Sequence, residues 1–535
     1  MSRGYEVERS MRSRGLDKSL SALCPLPSQP FSLYFILFIL CFLFPFNITM
    51  ETSFCLKSLD KNSPFKIMNN KGTKQMHNKD KKQKHSRLRT SFKTSITEGI
   101  FAQIYGNLSA IGSSFIVKLM VILDASPMHY SLLSAIGQVS AIWQPLGVAV
   151  THKLKEHKST CIKITAIGRF LTIFLGLSLL FNNKLQGIWF VLILLFFSAG
   201  LQSLGANIWI AWISDLIPLS LRGRFFSRRN QILIGIGLIV SYIFSFHIDL
   251  FESAKGAFKL GYIHFLGAEK FFLPQNQPWF LAGVYVFASL MGLIGLYFLN
   301  RQPESPLPSV QEQRLRERYF APVKDKNFRL LSVFGIWWMF AIGVGSPFWG
   351  PFMMKKLSMS LFEIQIYNTI SVLSSLLSYQ FWGRFIDKNG NKTAMQICIA
   401  LGGLNPMLWL FTNAGNYSIL WLEALSSGFM WAGTGIITTN FVLSVAVKGR
   451  EQVYSGIYGA ITGLAMMLST LACGIFYPSS ITIGKRILEP EQVIFGIGGI
   501  MRWLSFIPLF FVVEKRNVPL PKALLALIKP HSKKC

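Results

Sequence analysis

The chain has 535 residues, 51% of them hydrophobic, with 46 Phe and a mean hydropathy of +0.41. Only 15% of residues are charged, so a water-soluble globular class is excluded and a membrane protein is indicated. The formal net charge of +30 does not point to nucleic acid, because Lys and Arg fall between apolar runs and not on a nucleic-acid module.

In chain order, residues 1–95 read as a basic N-terminal extension. It carries one apolar segment, 31–49, long enough for a thirteenth span or an uncleaved signal anchor but without a small-residue cleavage site. Met50, Met68 and Met76 are candidate starts, and the segment before Met50 is expected to be dispensable. The tract from about 57 to 93 is rich in Lys, Asn and Ser without periodicity, and is expected to be disordered. Glu98 follows Ser95 by three residues, a spacing that predicts a capping box at the start of the first span.

Twelve runs long enough to cross a bilayer follow: 97–123, 130–150, 163–181, 187–214, 226–247, 279–299, 328–353, 361–382, 393–412, 417–445, 454–477 and 492–513. The seventh is interrupted at GVGSPFWGP, residues 343–351. Every second connection is basic, from Lys153, Lys155 and Lys158 to Arg222, Arg224, Arg228 and Arg229, then Arg314, Arg316 and Arg318, then Arg384, Lys388 and Lys392, and last Lys448 and Arg450. By the positive-inside rule those connections and both termini are cytoplasmic, in an inner or plasma membrane. Lys355, Lys356, Lys485 and Arg486 fall on the other side, against the pattern. The polar 301–327 connection divides the spans into bundles over 96–300 and 328–515, with a basic tail at 516–535. The expected fold is thus an all-α membrane protein with twelve transmembrane helices in two pseudo-symmetric six-helix bundles.

The halves resemble each other. RGRFFSRRNQILIGIGL at 222–238 and KGREQVYSGIYGAITGL at 448–464 lead into equivalent spans. FWGRFIDKNGNK at 381–392 occupies the position that QPLGVAVTHKLKEHK, 144–158, holds in the first half. Within it, Gly383, Arg384, Asp387, Lys388, Gly390 and Lys392 resemble the loop signature G-x-x-x-D-[RK]-x-G-x-[RK] of the major facilitator superfamily. The first-half copy keeps Gly147 but has Thr151 in place of the acid. SDLIPLSLRGRFFSRRN at 214–230 also resembles a connection in bacterial members.

The resemblance implies a central cavity between the bundles and a latch in which Asp387 meets the start of span 5, near Arg222, Arg224 and Ser227, with Arg450 equivalent in the second half. Polar residues at helical spacing are cavity candidates: Gln103, Asn107 and Ser114 in span 1, Ser198, Gln202, Gly205 and Trp209 in span 4, and Gln365 and Asn368 in span 8. In span 10 they are Glu423, Ser427, Met430, Thr434 and Thr438. For each residue taken singly the competing reading is hydrogen bonding between helices. Glu423, read as the one acid well within a span, is the candidate coupling group, with a structural ion pair to Arg502 as its alternative. Arg169 and Arg502 read as anchors, and Asp215 as part of a charge network at the basic ends.

No phosphate loop, metalloprotease or hydrolase motif occurs, and Cys24, Cys41, Cys55, Cys161, Cys398, Cys473 and Cys535 form no C-x-x-C pair, so neither enzyme, cofactor nor metal site is expected. The expected function is secondary transport of a small solute, with protons as the candidate coupling ion, by a monomer whose other partners are membrane lipids. An uncoupled facilitator and a transport-dead receptor or assembly protein are the alternatives.

Overall fold

The structure is a computed structural model, and it describes residues 74–153, 157–217, 219–252, 256–304, 322, 324–447, 450–484, 486–514 and 517–528. The apolar segment 31–49 and the candidate starts Met50 and Met68 lie outside the described residues. Each of the twelve expected intervals is helical. Among the described residues nine helices are long and apolar enough to cross a membrane. Backbone groups in lipid find partners only within the chain, which is why such runs fold as helices.

The first half comprises α1 (Lys74–Ser109), α2 (Ser114–Ile122), α3 (Pro127–Lys153), α4 (His157–Leu171, continued as a 3₁₀ turn Thr172–Leu180), α5 (Lys184–Leu216), α6 (Leu219–Asp249), α7 (Ala257–Phe265) and α8 (Gln277–Leu299). The second comprises α9 (Lys326–Gly343), α10 (Trp349–Lys355), α11 (Leu361–Asn389), α12 (Asn391–Leu408), α13 (Ile419–Val445), α14 (Glu451–Ile475), α15 (Pro490–Trp503), α16 (Phe506–Phe510) and α17 (Leu520–Ile528). A two-stranded hairpin, Ile481–Ile483 with Arg486–Leu488, precedes α15. Most packing stays within a half, with α1 on α8 and α6, and α11 and α12 on α13. The halves meet where α3 packs on α14, α6 on α11 and α2 on α10.

Several sequence expectations are corrected. Residues 74–93 are helical and not disordered, because α1 begins upstream of the apolar run. The Ser95–Glu98 capping box does not form, since α1 passes through both residues and leaves no helix start there to cap. The first and seventh spans are each two helices, and the 248–278 connection holds the short helix α7. The signature at 383–388 is the last turns of α11 and not a loop.

Each break is built around a glycine in a left-handed backbone conformation, Gly112 (φ 88°) in the first half and Gly345 (φ 84°) in the second. Ser113 stitches the first break. Its Oγ donates to the Asn107 carbonyl at 2.6 Å and accepts the Phe115 N–H at 3.2 Å, capping α2. The breaks occupy equivalent places in the two halves, which puts both beside the interface between them.

Buried charge holds the first half together. Glu98, 5% exposed, accepts from Arg169 Nη2 at 3.0 Å and lies 3.7 Å from Arg229. Arg169 also donates to the Gly292 carbonyl, and Arg229 stacks over Trp209 with its Cζ 4.7 Å from the ring centroid. α1, α4, α5, α6 and α8 thus meet at one carboxylate. Glu423 is therefore not the one acid well within a span. In the second half Arg502 plays the anchoring part, donating to the carbonyls of Gly402 at 3.2 Å and Ile342 at 3.4 Å.

The cations that broke the charge pattern have local partners. Lys356 donates to Glu489 at 2.6 Å, and that contact raises the pKa of the lysine. Lys355 lies over the Tyr130 ring and Arg486 over Phe411. Lys485 lies outside the described residues. On the same side Asp124 pairs with Lys184, which holds its carboxyl below the ordinary range. These pairs are exposed and fix loops more than they stabilise the fold.

Candidate functional site: a cavity at the two helix breaks

A cavity of about 500 Å³ opens where the breaks meet. One wall is the first break, with Ile111, Gly112 and Ser114; the facing wall is the second, with Ser346, Pro347, Gly350, Met353 and Met354. α3 closes one side with Tyr130, Ser134, Gly137 and Gln138, and α11 the other with Ile364 and Asn368. A second hollow of about 310 Å³ shares Ile111, Gly112 and Ser114 and extends toward Asn107, Ser241 and Gln365. Both breaks and three of the four helices that flank them, α1, α2 and α10, therefore border this space.

Of the sequence candidates, Asn107, Gln365 and Asn368 line this space. Gln103 sits one turn behind, donating to Asn107 Oδ1 at 2.7 Å, while Asn107 donates to the Gly237 carbonyl at 2.8 Å and to Ser241 at 3.0 Å. Gln202 and Trp209 are elsewhere: Gln202 borders Gly168 of α4, and Trp209 packs against Phe226 and Arg229. The α13 stripe does form one face, but the face turns into its own bundle. Glu423, 4% exposed, accepts from Tyr367 Oη at 2.5 Å. Thr434 donates to the Met430 carbonyl at 3.0 Å, and Met430 packs in the core with Trp382 and Cys398. Ser427 and Thr438 are half-buried on the same helix and line neither hollow. α13 can lie this close to α11 because a methyl group on Gly428 would run into the Ser371 carbonyl.

Residues that went unread lie mainly on α3. Tyr130, Ser134 and Gln138 recur at intervals of four, a polar stripe that helical periodicity could have flagged.

The two ends of the cavity differ. At the end away from the basic connections, Asp249 closes α6 onto α11. Its carboxylate is 0% exposed and accepts the N–H groups of Leu361 at 3.0 Å and Phe362 at 2.8 Å. Ser360 accepts the Glu363 N–H at 3.2 Å and Glu363 accepts the Ser360 N–H at 2.8 Å, so the start of α11 is fully capped. Tyr242 adds a bond to Thr369 at 2.8 Å and rings 5.3 Å from Phe362. α2 packs on α10 at this end too.

At the basic end, Arg224, Ser227 and Arg228 of α6 and Arg384, Asp387 and Lys388 of α11 are exposed. Among the described residues no hydrogen bond or ion pair engages the Asp387 side chain, and a methyl group on Gly383 would meet open space. The expected contact between Asp387 and the start of α6 is thus not made here. Instead the neighbouring residues bind their own half. Gly390 (φ 91°) turns the chain, Lys392 Nζ donates to the Phe510 and Val512 carbonyls at 2.7 and 3.0 Å, and Glu514 accepts the N–H groups of Asn391 at 2.8 Å and Lys392 at 2.7 Å. Arg222 donates to the Ile217 carbonyl at 3.0 Å, and Arg450 is exposed at the start of α14. Only the backbone of Gly147, Thr151 and Asp215 is described.

Residues 276–470 match the family model described as Major Facilitator Superfamily. Over that stretch, a little over a third of its length, the chain is similar to the major facilitator superfamily. Solved structures similar to this chain include the nucleoside transporter NupG (14% identity, TM-score 0.57), which matches over 79% of this chain and 99% of its own. Others are a D-xylose-proton symporter (16%, 0.55, 80% and 99%) and a bacterial homologue of the iron transporter ferroportin in an inward-facing state (11%, 0.55, 79% and 98%). At these identities the likeness carries the fold. No curated protein sequence matches the chain.

Proposed function

We propose that the chain is a secondary transporter that carries a small solute by alternating access to the cavity between the helix breaks. The observation that carries this reading is the pairing of a cavity with one sealed and one open end. Asp249 and its neighbours close the end away from the basic loops, while the facing parts of α6 and α11 are exposed at the basic end. With the basic loops in the cytoplasm, this is an inward-facing state of two six-helix bundles, 96–300 and 328–515, joined by the 301–327 linker in a cell membrane.

Coupling to protons is assigned to Glu423. It is a buried acid on α13 bonded to Tyr367 of α11, and the next residue on α11, Asn368, borders the cavity, so α11 links the carboxylate to the solute space. Uncoupled facilitation is the second reading, favoured by the position of Glu423 inside its own bundle.

Uptake into proteoliposomes with and without a pH gradient separates them. Accumulation driven by the gradient is expected to fall at least about tenfold in Glu423→Gln, while solute binding stays within about twofold, since the amide keeps shape and hydrogen bonding but cannot titrate. Equilibration that ignores both the gradient and the substitution would establish the facilitator. An absence of any flux would contradict transport.

A further inference from the structure

The transport reading leaves the solute open, and the lining of the cavity narrows it. Resting on that reading, we infer that the cavity takes an uncharged solute with several hydroxyl groups along one edge and an apolar opposite face.

Among the described residues, neither hollow is lined by an Asp, Glu, Lys, Arg or His side chain. An ionic solute drawn from water into such a space would lose hydration with no countercharge to replace it, at a cost that hydrogen bonds from neutral groups do not offset. Lys355, which follows the lining residue Met354, lies against the Tyr130 ring with its Nζ 5.6 Å from the centroid, and does not line the space.

The lining is nevertheless rich in polar groups; Asn107, Ser113, Ser241 and Ser346 are bonded within the protein, but others lack protein partners. The side chains of Ser134, Gln138, Gln365 and Asn368 make no hydrogen bond among the described residues, and the Tyr130 hydroxyl is buried without one. Polar groups packed between helices behave differently: Ser374 and Ser375 both bond to α13 carbonyls. A wholly apolar solute would leave the unpartnered lining groups unsatisfied. The amides of Gln138, Gln365 and Asn368 each offer two donors and an acceptor, and a hydroxyl both donates and accepts, so adjacent hydroxyls on one edge can engage an amide twice. Met353, Met354 and Pro347 supply an apolar wall for the other face. A volume of about 500 Å³ admits a monosaccharide or a nucleoside with some water.

The test measures thermal stabilisation of the purified full chain by matched pairs: glucose against glucose 6-phosphate and glucuronate, xylose against xylonate, and uridine against uridine monophosphate. A neutral member is expected to raise the unfolding temperature in a saturable way, because it binds the native state, while its charged counterpart does not. Asn368→Ala and Gln138→Ala should each weaken half-saturation roughly tenfold without lowering the unfolding temperature of the free protein. Stabilisation by the charged members, by no neutral member, or undiminished by both substitutions would overturn the assignment. Transport would survive that result if the solute that does bind is taken up into proteoliposomes, and would fail with it if none is.

Discussion

Replacing Asp249 with Ala is expected to open the sealed end of the cavity. The carboxylate accepts two N–H groups from the first turn of α11 in a site with no exposure to water. Charge-assisted hydrogen bonds of this kind contribute roughly 1.5–3 kcal/mol each, and the helix dipole adds to them. Ala would leave Leu361 and Phe362 with buried, unpaired donors in the sealed state, donors that water can reach once α6 and α11 part. The sealed state should lose roughly 2–4 kcal/mol relative to the open one, a shift of about 30-fold or more. A cysteine at Ser134 or Gln138 should then react with an impermeant thiol reagent from the sealed side at least about tenfold faster. Asp249→Asn should fall between, keeping one acceptor and losing the charge. Asp387→Asn should act oppositely. Asp387 is exposed in the state described; on the proposed reading it meets the start of α6 only when the basic end closes, so removing it should favour opening at the basic end. If Asp249→Ala left reactivity unchanged while Asp387→Asn raised it at the sealed side, the assignment of the two acids to opposite gates would be reversed.

Glu98→Ala is expected to cost more than any cavity substitution. Glu98 lies 3.0 Å from Arg169 and 3.7 Å from Arg229 with its side chain 7% exposed. Removing it strands two guanidinium groups inside the bundle, and breaking a buried pair by deleting one partner typically costs about 3–5 kcal/mol. The unfolding temperature in detergent should drop by several degrees, with loss of folded yield. Glu98→Gln should recover part of it by accepting from Arg169 Nη2. The double change Glu98→Met with Arg169→Met should be milder than Glu98→Ala, because it removes both charges. A double variant as unstable as the sum of its parts would mean that the pair is not coupled.

These two carboxylates show where sequence reading reaches and where it stops. The twelve helical intervals and the basic connections were legible because hydrophobic length and charge bias are local properties. The break in the second half was legible because 343–351 has two prolines and three glycines. The break at 110–113 was hidden, since a lone Gly112 in an apolar run gives no sign that the backbone turns left-handed there. Glu98 was misread because its three-residue spacing from Ser95 mimics a cap, while its partner Arg169 is 71 residues away. Asp249 lies at the end of an apolar run with no local sign of its role, and its partners are 112 and 113 residues distant. Periodicity correctly grouped Glu423, Met430 and Thr434 on one face but says nothing of which neighbour the face meets, and packing turns it toward α11 and α12. In α11, by contrast, Gln365 and Asn368 were found, because polar groups a turn apart in a span must face something other than lipid.

The central claim is that the two ends of the cavity open in turn. Two spin-label pairs in a cysteine-free background, reconstituted in lipid, test it most directly. One pair, Ser126 with Ser358, spans the sealed end, and the other, Arg224 with Arg384, spans the basic end; all four positions are exposed. Titrating in the solute identified by thermal stabilisation should populate a second distance for each pair, longer for Ser126 with Ser358 and shorter for Arg224 with Arg384, with the two populations rising together. Distances that lengthen together at both ends, or a single unchanging distance at each, would contradict alternating access.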